Sequence, residues 1–142
     1  MMKTSNNGIG FIRAHEGYKL TAYLDGGGVW TIGVGHTKGV KKGQTINQAQ
    51  ADKFLADDLA PVETCINGKV TAALNQNQFD ALASFVFNVG ELAFKGSTLL
   101  KKLNAGDYTG AANELPKWCH DNGKMVQGLL NRRIDEQVLF LS

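Results

Sequence analysis

The spacing of hydrophobic and polar positions changes along the chain, and each change marks a new kind of element. Residues 7 to 16 place apolar side chains at helical spacing, and Asn6 or Asn7 can cap the start. Gly17 follows directly, and glycine is favoured just past a helix end because it accepts a left-handed backbone. The pattern therefore predicts a first helix that ends at Glu16.

The next pattern is short and typical of β-structure. TAYL (residues 21–24) and VWTIGVGHT (residues 29–37) favour strands, and Asp25 followed by three glycines favours a turn between them. Gly33 and Gly35 weaken the second strand, so they indicate a place where backbone or ligand approaches closely. A small hairpin is therefore predicted after the first helix.

The rest of the chain has helical spacing. Thr45 with Gln48 resembles a capping box and predicts a helix, in which Pro61 predicts a kink or a boundary. Four further helices are predicted: from Asn75 or Asn77 to Gly90, from Ser97 or Thr98 to Gly106, from Asp107 to a break near Pro116, and over residues 128–142.

These elements predict an α+β fold of two lobes. A small lobe with the hairpin covers residues 17–45, and a larger helical lobe covers residues 68–142, with residues 1–16 packing near it. A helix over residues 46–67 joins the lobes. No internal repeat or linker divides the chain, so we expect one domain.

Composition narrows the class of protein. The 142 residues suffice for one domain with a sizeable core, and 43% hydrophobic with 20% charged residues is typical of a globular chain. A formal charge of +2 does not provide the basic surface of a nucleic-acid binder, and we interpret Lys38, Lys41 and Lys42 as a solvated loop. No segment approaches the roughly 20 apolar residues of a membrane span, and the polar start lacks the core of a signal peptide.

Cys65 and Cys119 are far apart in the sequence and fit no metal-ligand spacing. Two alternatives remain for them, either two buried free thiols or a single disulfide formed after export. No metal site is predicted.

Glu16 and Asp25 are the candidate chemical groups. Glycoside hydrolysis requires one carboxyl group that holds a proton and a second one that is ionised. Glu16 suits the proton donor because the dipole at a helix C-terminus disfavours a negative charge. Asp25, in an open glycine-rich turn, suits the ionised group. The alternative is that Asp25 is an ordinary turn residue.

A longer motif bears on this choice. Glu16, Asp25 and Thr31, continuing into TIGVGH, closely resemble the catalytic signature of phage-type lysozymes, the endolysins of glycoside hydrolase family 24. LNQNQFDALASFVFNVG, GSTLLKKLNAGDY and GLLNRRIDEQVLF resemble later segments of that family in the same order. The resemblance covers nearly the whole chain.

The resemblance implies hydrolysis of the β-1,4 bond between N-acetylmuramic acid and N-acetylglucosamine in peptidoglycan, with host cell lysis as the result. It implies that Glu16 is the general acid, that Asp25 positions or activates the attacking water, and that Thr31 helps to hold this water. It further implies a cleft between the lobes, inversion at the anomeric carbon and no cofactor.

Further residues match the family by position. His36 is expected to pair with Asp58 as structural support, and Arg132 is expected to approach Glu16, where a cation favours the ionised carboxylate and so opposes the helix-end effect. Phe87 and Asn113 match positions on the sugar-binding side of the cleft. The alternative for Phe87 is a core aromatic, and for Asn113 an ordinary helix surface.

Two alternative functions remain at this point. A lytic transglycosylase cleaves the same bond with a single acid, and a wall-binding module would need no catalysis. Intact Asp25 and Thr31 disfavour both. The family's biology implies a monomer that binds peptidoglycan strands, without nucleic acid or stable membrane insertion. It also implies a cytoplasmic pool, released to the cell wall through a phage-made membrane hole, and a prophage-borne copy would look the same.

Overall fold

The computed structural model describes residues 1–142 and contains two small antiparallel sheets among helices. The elements in chain order are α1 (Asn6–Glu16), β1 (Lys19–Leu24), β2 (Trp30–Gly33), α2 (Gln48–Lys69), α3 (Gln76–Val89), α4 (Glu91–Lys95), α5 (Thr98–Asn104), α6 (Tyr108–Glu114), a short 3-10 helix (Leu115–Lys117), β3 (His120–Asp121), β4 (Lys124–Met125) and α7 (Gln127–Leu141). The predicted α+β class is confirmed.

The cap of α1 differs from the prediction. The N-cap is Ser5 rather than Asn6 or Asn7, and the Ser5 hydroxyl oxygen accepts a hydrogen bond from the Gly8 N–H at 3.1 Å. The Ser5 hydroxyl also donates to the carboxylate of Asp80 in α3. Ser5 therefore both caps the helix and ties it to a neighbour, which neither asparagine does.

The capping box of α2 is also displaced by two residues. Asn47 and Gln50 form it, each side chain bonding the other residue's backbone N–H, so the prediction of Thr45 with Gln48 is wrong. Thr45 instead forms a β-bridge with Thr21 of β1. Since a bridge needs extended backbone, Thr45 lies outside the helix.

Pro61 lies inside α2, which continues to Lys69, so of the two alternatives the boundary is wrong and the kink stays a prediction. Three elements, α4, β3 and β4, were not predicted. The short helix α4 begins directly after α3, and β3 and β4 form a hairpin around Asn122 and Gly123, both of which have positive φ. Strands of two residues are too short to show a hydrophobic period.

Helix α3 lies at the centre of the core. It packs against α1, α2 and α7, and its buried residues include Phe79, Leu82 and Phe85. The Asp80 side chain of α3 packs against the backbone of α1, because a Cβ at Gly8 would lie 2.5 Å from Asp80 Cγ. One continuous cluster of 21 buried residues spans the helical part and Val34 beside the hairpin.

The remaining expectations on the chain concern its thiols and membranes. Cys65 and Cys119 are both buried and both free, so the structure has the two-thiol arrangement and not the disulfide. None of the helices combines the length and the apolarity needed to cross a membrane.

Candidate active site

Glu16 is the last residue of α1, where Gly17 turns the chain with a φ of 85°. Its side chain is 18% exposed, and its Oε2 accepts a hydrogen bond from Arg132 Nη1 at 2.6 Å. Arg132 comes from α7 and is itself buried. The structure thus brings together an acid and a cation that are 116 residues apart in sequence.

The loop after β2 presses its backbone against this acid. Gly35 has a φ of 66°, and a Cβ placed on it would lie 2.7 Å from Glu16 Oε1. Gly33, with a φ of 64°, would place a Cβ 3.5 Å from the Cβ of Ala51 in α2. The predicted close approach at these glycines is confirmed, and at Gly35 the approaching group is the candidate catalytic acid.

Asp25 follows β1 directly and is exposed. Its Oδ1 accepts hydrogen bonds from the backbone N–H groups of Gly27 (2.9 Å) and Val29 (2.8 Å). The turn is closed by the Asp25 N–H, which donates to the Val29 carbonyl at 2.9 Å. Both backbone donors are used on Oδ1, which leaves Oδ2 to accept a hydrogen bond from water.

Thr31 lies on β2 opposite Tyr23 of β1 and is only 3% exposed. Its hydroxyl donates to the Val29 carbonyl at 2.9 Å. The hydroxyl proton is thereby directed into the turn, so the oxygen lone pairs remain free to accept a hydrogen bond. The hairpin places Thr31 and Asp25 around the same turn.

The Tyr23 hydroxyl is affected by the negative charges of both Glu16 and Asp25. Burial raises the pKa of Tyr23, and the negative charges of Glu16 and Asp25 raise this pKa further. Lys19 Nζ lies 4.8 Å from the centre of its ring. Sequence reasoning missed Tyr23, although the two-residue period of a strand puts it on the same side of β1 as the position of Asp25.

His36 and Asp58 connect the hairpin part to α2. His36 Nδ1 lies 2.7 Å from Asp58 Oδ2, and the imidazole ring stacks on Phe54 with ring centres 4.2 Å apart. His36 is 8% exposed. This packing anchors the loop that carries Gly35, so it indirectly fixes the backbone beside Glu16.

A cavity of about 360 Å³ opens beside Glu16. Its walls come from the loop after β2, from α2 and from α3, and they include Gly35, Asp58 and Phe87. Phe87 is half-buried, unlike the fully buried Phe85 of the same helix. Of the residues predicted to form the site, Glu16, Asp58 and Phe87 line this cavity.

Asn113 does not belong to this group. It lies exposed on α6, and its side-chain oxygen accepts a hydrogen bond from Gln137 Nε2 at 3.0 Å. It is absent from the walls of the cavity beside Glu16. A side chain engaged with a neighbouring helix on the outer surface fits the alternative interpretation, an ordinary helix surface.

A buried ionic cluster lies behind Glu16 and was not predicted. Arg132 reaches Glu136 (Nε to Oε2, 3.4 Å), and Arg133 reaches the same carboxylate (Nε to Oε1, 2.7 Å). The Ser84 hydroxyl donates to Glu136 Oε2 at 2.6 Å. Arg133 and Glu136 have no exposed surface. Sequence gave no signal for them, because charged residues are seldom fully buried.

Comparison with known proteins identifies the family of this chain. The family model described as phage lysozyme matches residues 13–136. The chain is 45% identical over 147 residues to the endolysin of Salmonella phage P22, and the match covers 100% of both chains. It is 46% identical over 145 residues to an endolysin of Acyrthosiphon pisum secondary endosymbiont phage 1, covering 99% of each chain.

The chain belongs to the phage lysozyme family. Its structure matches that of a variant of P22 lysozyme with a TM-score of 0.89 at 42% identity, over 100% of both chains. The muramidase domain of SpmX from Asticaccaulis excentricus matches with a TM-score of 0.92 at 38% identity, over 100% of this chain and 99% of that one. The phage lysozyme fold, with its cleft between a hairpin lobe and a helical lobe, is therefore established for this chain.

Proposed function

We propose that this phage lysozyme hydrolyses the β-1,4 bond between N-acetylmuramic acid and N-acetylglucosamine, with Glu16 as general acid and Asp25 as the group that activates water. Glycoside hydrolase activity on peptidoglycan accords with the endolysins and the muramidase domain that the chain resembles. The observation that supports these residue roles is the contrast between a partly buried, arginine-bound Glu16 and an exposed, amide-bound Asp25.

The proton that Glu16 transfers belongs on Oε1. Oε2 accepts from Arg132 Nη1 at 2.6 Å, and an oxygen engaged by a cation is the poorer place for a proton. Oε1 is the atom beside Gly35, whose lack of a side chain leaves it accessible. Protonation of the glycosidic oxygen from Oε1 releases the leaving sugar as charge develops on the ring.

Asp25 Oδ2 takes a proton from the attacking water. The two amides on Oδ1 stabilise the ionised form of the carboxylate and fix its orientation. The Thr31 hydroxyl oxygen accepts a hydrogen bond from the other hydrogen of this water, while the Thr31 hydroxyl continues to donate to the Val29 carbonyl. Attack from this side, opposite the leaving group, gives inversion.

Phe87 and the pair of His36 and Asp58 support these steps. Phe87 presents a half-buried ring to the cavity, where it can pack against the apolar face of a sugar. His36 and Asp58 hold the loop that brings Gly35 to Glu16. The division into a hairpin lobe over residues 17–45 and a helical lobe over residues 68–142 is part of the same proposal.

Analysis of digested sacculi tests the reaction. Purified peptidoglycan is treated with the wild-type protein and with Glu16→Gln, and the products are identified by mass spectrometry. We expect muropeptides that carry one added water and no product from the variant, and proton NMR of the first products should show the α-anomer. Products that lack this water would indicate a lytic transglycosylase, and binding without products would indicate a wall-binding module.

We also propose that the protein acts as a monomer and reaches the wall from a cytoplasmic pool through a phage-made membrane hole. The endolysin relatives support this proposal. Light scattering after size-exclusion chromatography tests the oligomeric state, with a mass near 15.3 kDa expected. Expression with and without a co-expressed membrane-hole protein tests the route, and lysis is expected only with it.

A further inference from the structure

We propose that the buried carboxylate of Glu136 is a positioning residue for catalysis: it holds Arg132 against Glu16 and balances the positive charge that Arg132 and Arg133 place behind that acid. The inference rests on the proposed role of Glu16 as general acid. It concerns residues that do not line the cavity beside Glu16, so Glu136 acts on this acid through its contact with Arg132 and through its charge.

The contacts of Arg132 carry the positioning part of this inference. Nη1 donates to Glu16 Oε2, Nη2 donates to the Ser84 carbonyl at 3.2 Å, and Nε donates to Glu136 Oε2 at 3.4 Å. The guanidinium is thus fixed from three directions. Because it is planar and rigid, fixing Nε and Nη2 determines where Nη1 points.

The charge part follows from counting the cluster. Two cations, Arg132 and Arg133, face two carboxylates, Glu16 and Glu136, so the cluster is neutral when all four are ionised. The pKa of Glu136 is raised, because the effect of burial exceeds the opposing effects of both arginines and the Ser84 hydroxyl. Since Arg133 is also fully buried and arginine keeps its proton, an ionised Glu136 is the state that leaves no uncompensated charge.

Other charged groups lie around the cluster and enter the balance more weakly. On the side of α1 is His15, whose Nε2 lies 3.1 Å from the half-exposed Asp135 of α7, and on the side of β1 is Tyr23. From α3 the nearest polar group is Ser84. Arg133 also lines a cavity of about 600 Å³, together with three further charged or titratable side chains, Lys117, His120 and Asp121.

The consequence concerns the pH range of the enzyme. Without Glu136, two cations would stabilise the ionised form of Glu16, and the acid would give up its proton at lower pH. A general acid must hold its proton, so activity would fall earlier as the pH rises. Glu136 therefore extends the active range upwards.

The test compares the pH profile of kcat/KM in Glu136→Gln with that of the wild type. We expect the alkaline limb to move down by roughly 0.5–1 pH unit, the size expected for a unit charge nearby in a protein interior. The carboxyl carbon of Glu16, followed by NMR, should titrate lower by the same amount. An unmoved limb and an unmoved titration would overturn the inference.

Two variants test the balance without relying on Glu136→Gln to fold. Arg133→Met removes a cation, so we expect the alkaline limb to move up. The double variant Arg133→Met with Glu136→Met removes one charge of each sign and puts an apolar pair in their place. Its limb should stay within about 0.2 pH unit of the wild type. Shifts of the same sign in Arg133→Met and Glu136→Gln would contradict charge balance.

Glu114→Gln is the matched control. Glu114 is another buried carboxylate with two cationic partners, Lys102 at 3.1 Å and Lys117 at 2.6 Å. It forms no ion pair or hydrogen bond with Arg132 or Arg133. The alkaline limb of the pH profile of Glu114→Gln should not move. Glu16→Gln separates the two hypotheses, because residual activity in it would overturn the general-acid role. Inactive Glu16→Gln with an unmoved limb in Glu136→Gln would overturn only this inference.

Discussion

Glu16 and Asp25 are the two carboxylates of the proposed site, yet the two parts of the molecule that hold them differ in almost every physical respect. Glu16 ends a helix, is largely buried, and takes its main hydrogen bond from Arg132, which is distant in sequence. Asp25 is exposed in a glycine turn and takes its hydrogen bonds from backbone groups two and four residues away. One part depends on tertiary packing and the other on local geometry.

The contrast shows how one residue chemistry serves two roles. A carboxyl group in a dry, shaped environment can be prepared to give a proton, whereas one bound by amides and open to water stays ionised and can take one. Animal lysozyme also distributes its two acids between unlike surroundings. Here Glu16 is largely buried and bound by an arginine, whereas Asp25 is exposed and bound by backbone amides.

After Glu16→Gln, which should give no product, the largest effect should come from removing the charge of Asp25 alone. Asp25→Asn keeps an oxygen that can accept from Gly27 and Val29, so the turn should persist while the base is lost. We expect initial rates of peptidoglycan hydrolysis to fall by about 100-fold, with unchanged circular dichroism. A variant that retained near-normal rates would show that the exposed acid is not the base.

The backbone around the two acids should respond unequally to an added methyl group. Gly35→Ala forces a positive φ on a residue with a Cβ and puts that Cβ 2.7 Å from Glu16 Oε1, whereas at Gly27 the Cβ would lie 3.5 Å from Asp25 Oδ1. We expect Gly35→Ala to lose about 1–2 kcal/mol of stability and roughly 10-fold in rate. Gly27→Ala should lose little of either.

Thermal unfolding and rate assays of both variants check this expectation, with Gly39→Ala as a control for strain. Gly39 also has a positive φ, 72°, but no atom lies within 4 Å of its added Cβ. The Gly39→Ala variant should therefore have a lower free energy of unfolding but an unchanged rate of peptidoglycan hydrolysis per folded molecule. Equal rate losses in Gly35→Ala and Gly39→Ala would mean that the approach to Glu16 is unimportant.

Thr31 should have a smaller effect than either acid. Thr31→Val removes a hydroxyl that the buried position fits closely, and Thr31→Ser keeps it. If the hydroxyl steadies the attacking water, the loss should be about 1 kcal/mol of transition-state stabilisation, or roughly fivefold in rate. Thr31→Ser should stay close to wild type in kcat. A Thr31→Ser loss as large as that of Thr31→Val would point to packing instead.

The smallest expected effect is on stability and concerns Glu114, a buried acid outside the site that serves as a comparison for Glu16. Hydrogen bonds from Lys117, followed by those from Lys102, lower the pKa of Glu114 against the opposing effect of burial. Its ionised form therefore stabilises the fold above about pH 4.5, and this contribution is lost as the pH falls through the lowered pKa. Glu114→Gln should melt below wild type at pH 7, and the gap should close in acid.

Much of the candidate site could be predicted because its parts are local. The spacing from Glu16 through Asp25 to Thr31 lies within one hairpin and its preceding helix, and the glycines mark the turn. The pairing of His36 with Asp58 and of Arg132 with Glu16, expected from the family resemblance, is present in the structure. Asn113 shows the limit, since a matching position on α6 points to another helix.

The sequence by itself determined six of the seven α-helices, the first hairpin and the two candidate acids, because capping, turn formation and apolar spacing act over a few residues. Tertiary structure alone decided which cap was used at α1, since Ser5 also binds Asp80 of α3. It also decided that Arg133 and Glu136 would be buried together behind Glu16. Charged side chains on α7 resemble surface residues until α3 and α7 pack and replace water with the partners that Arg133 and Glu136 have in this cluster.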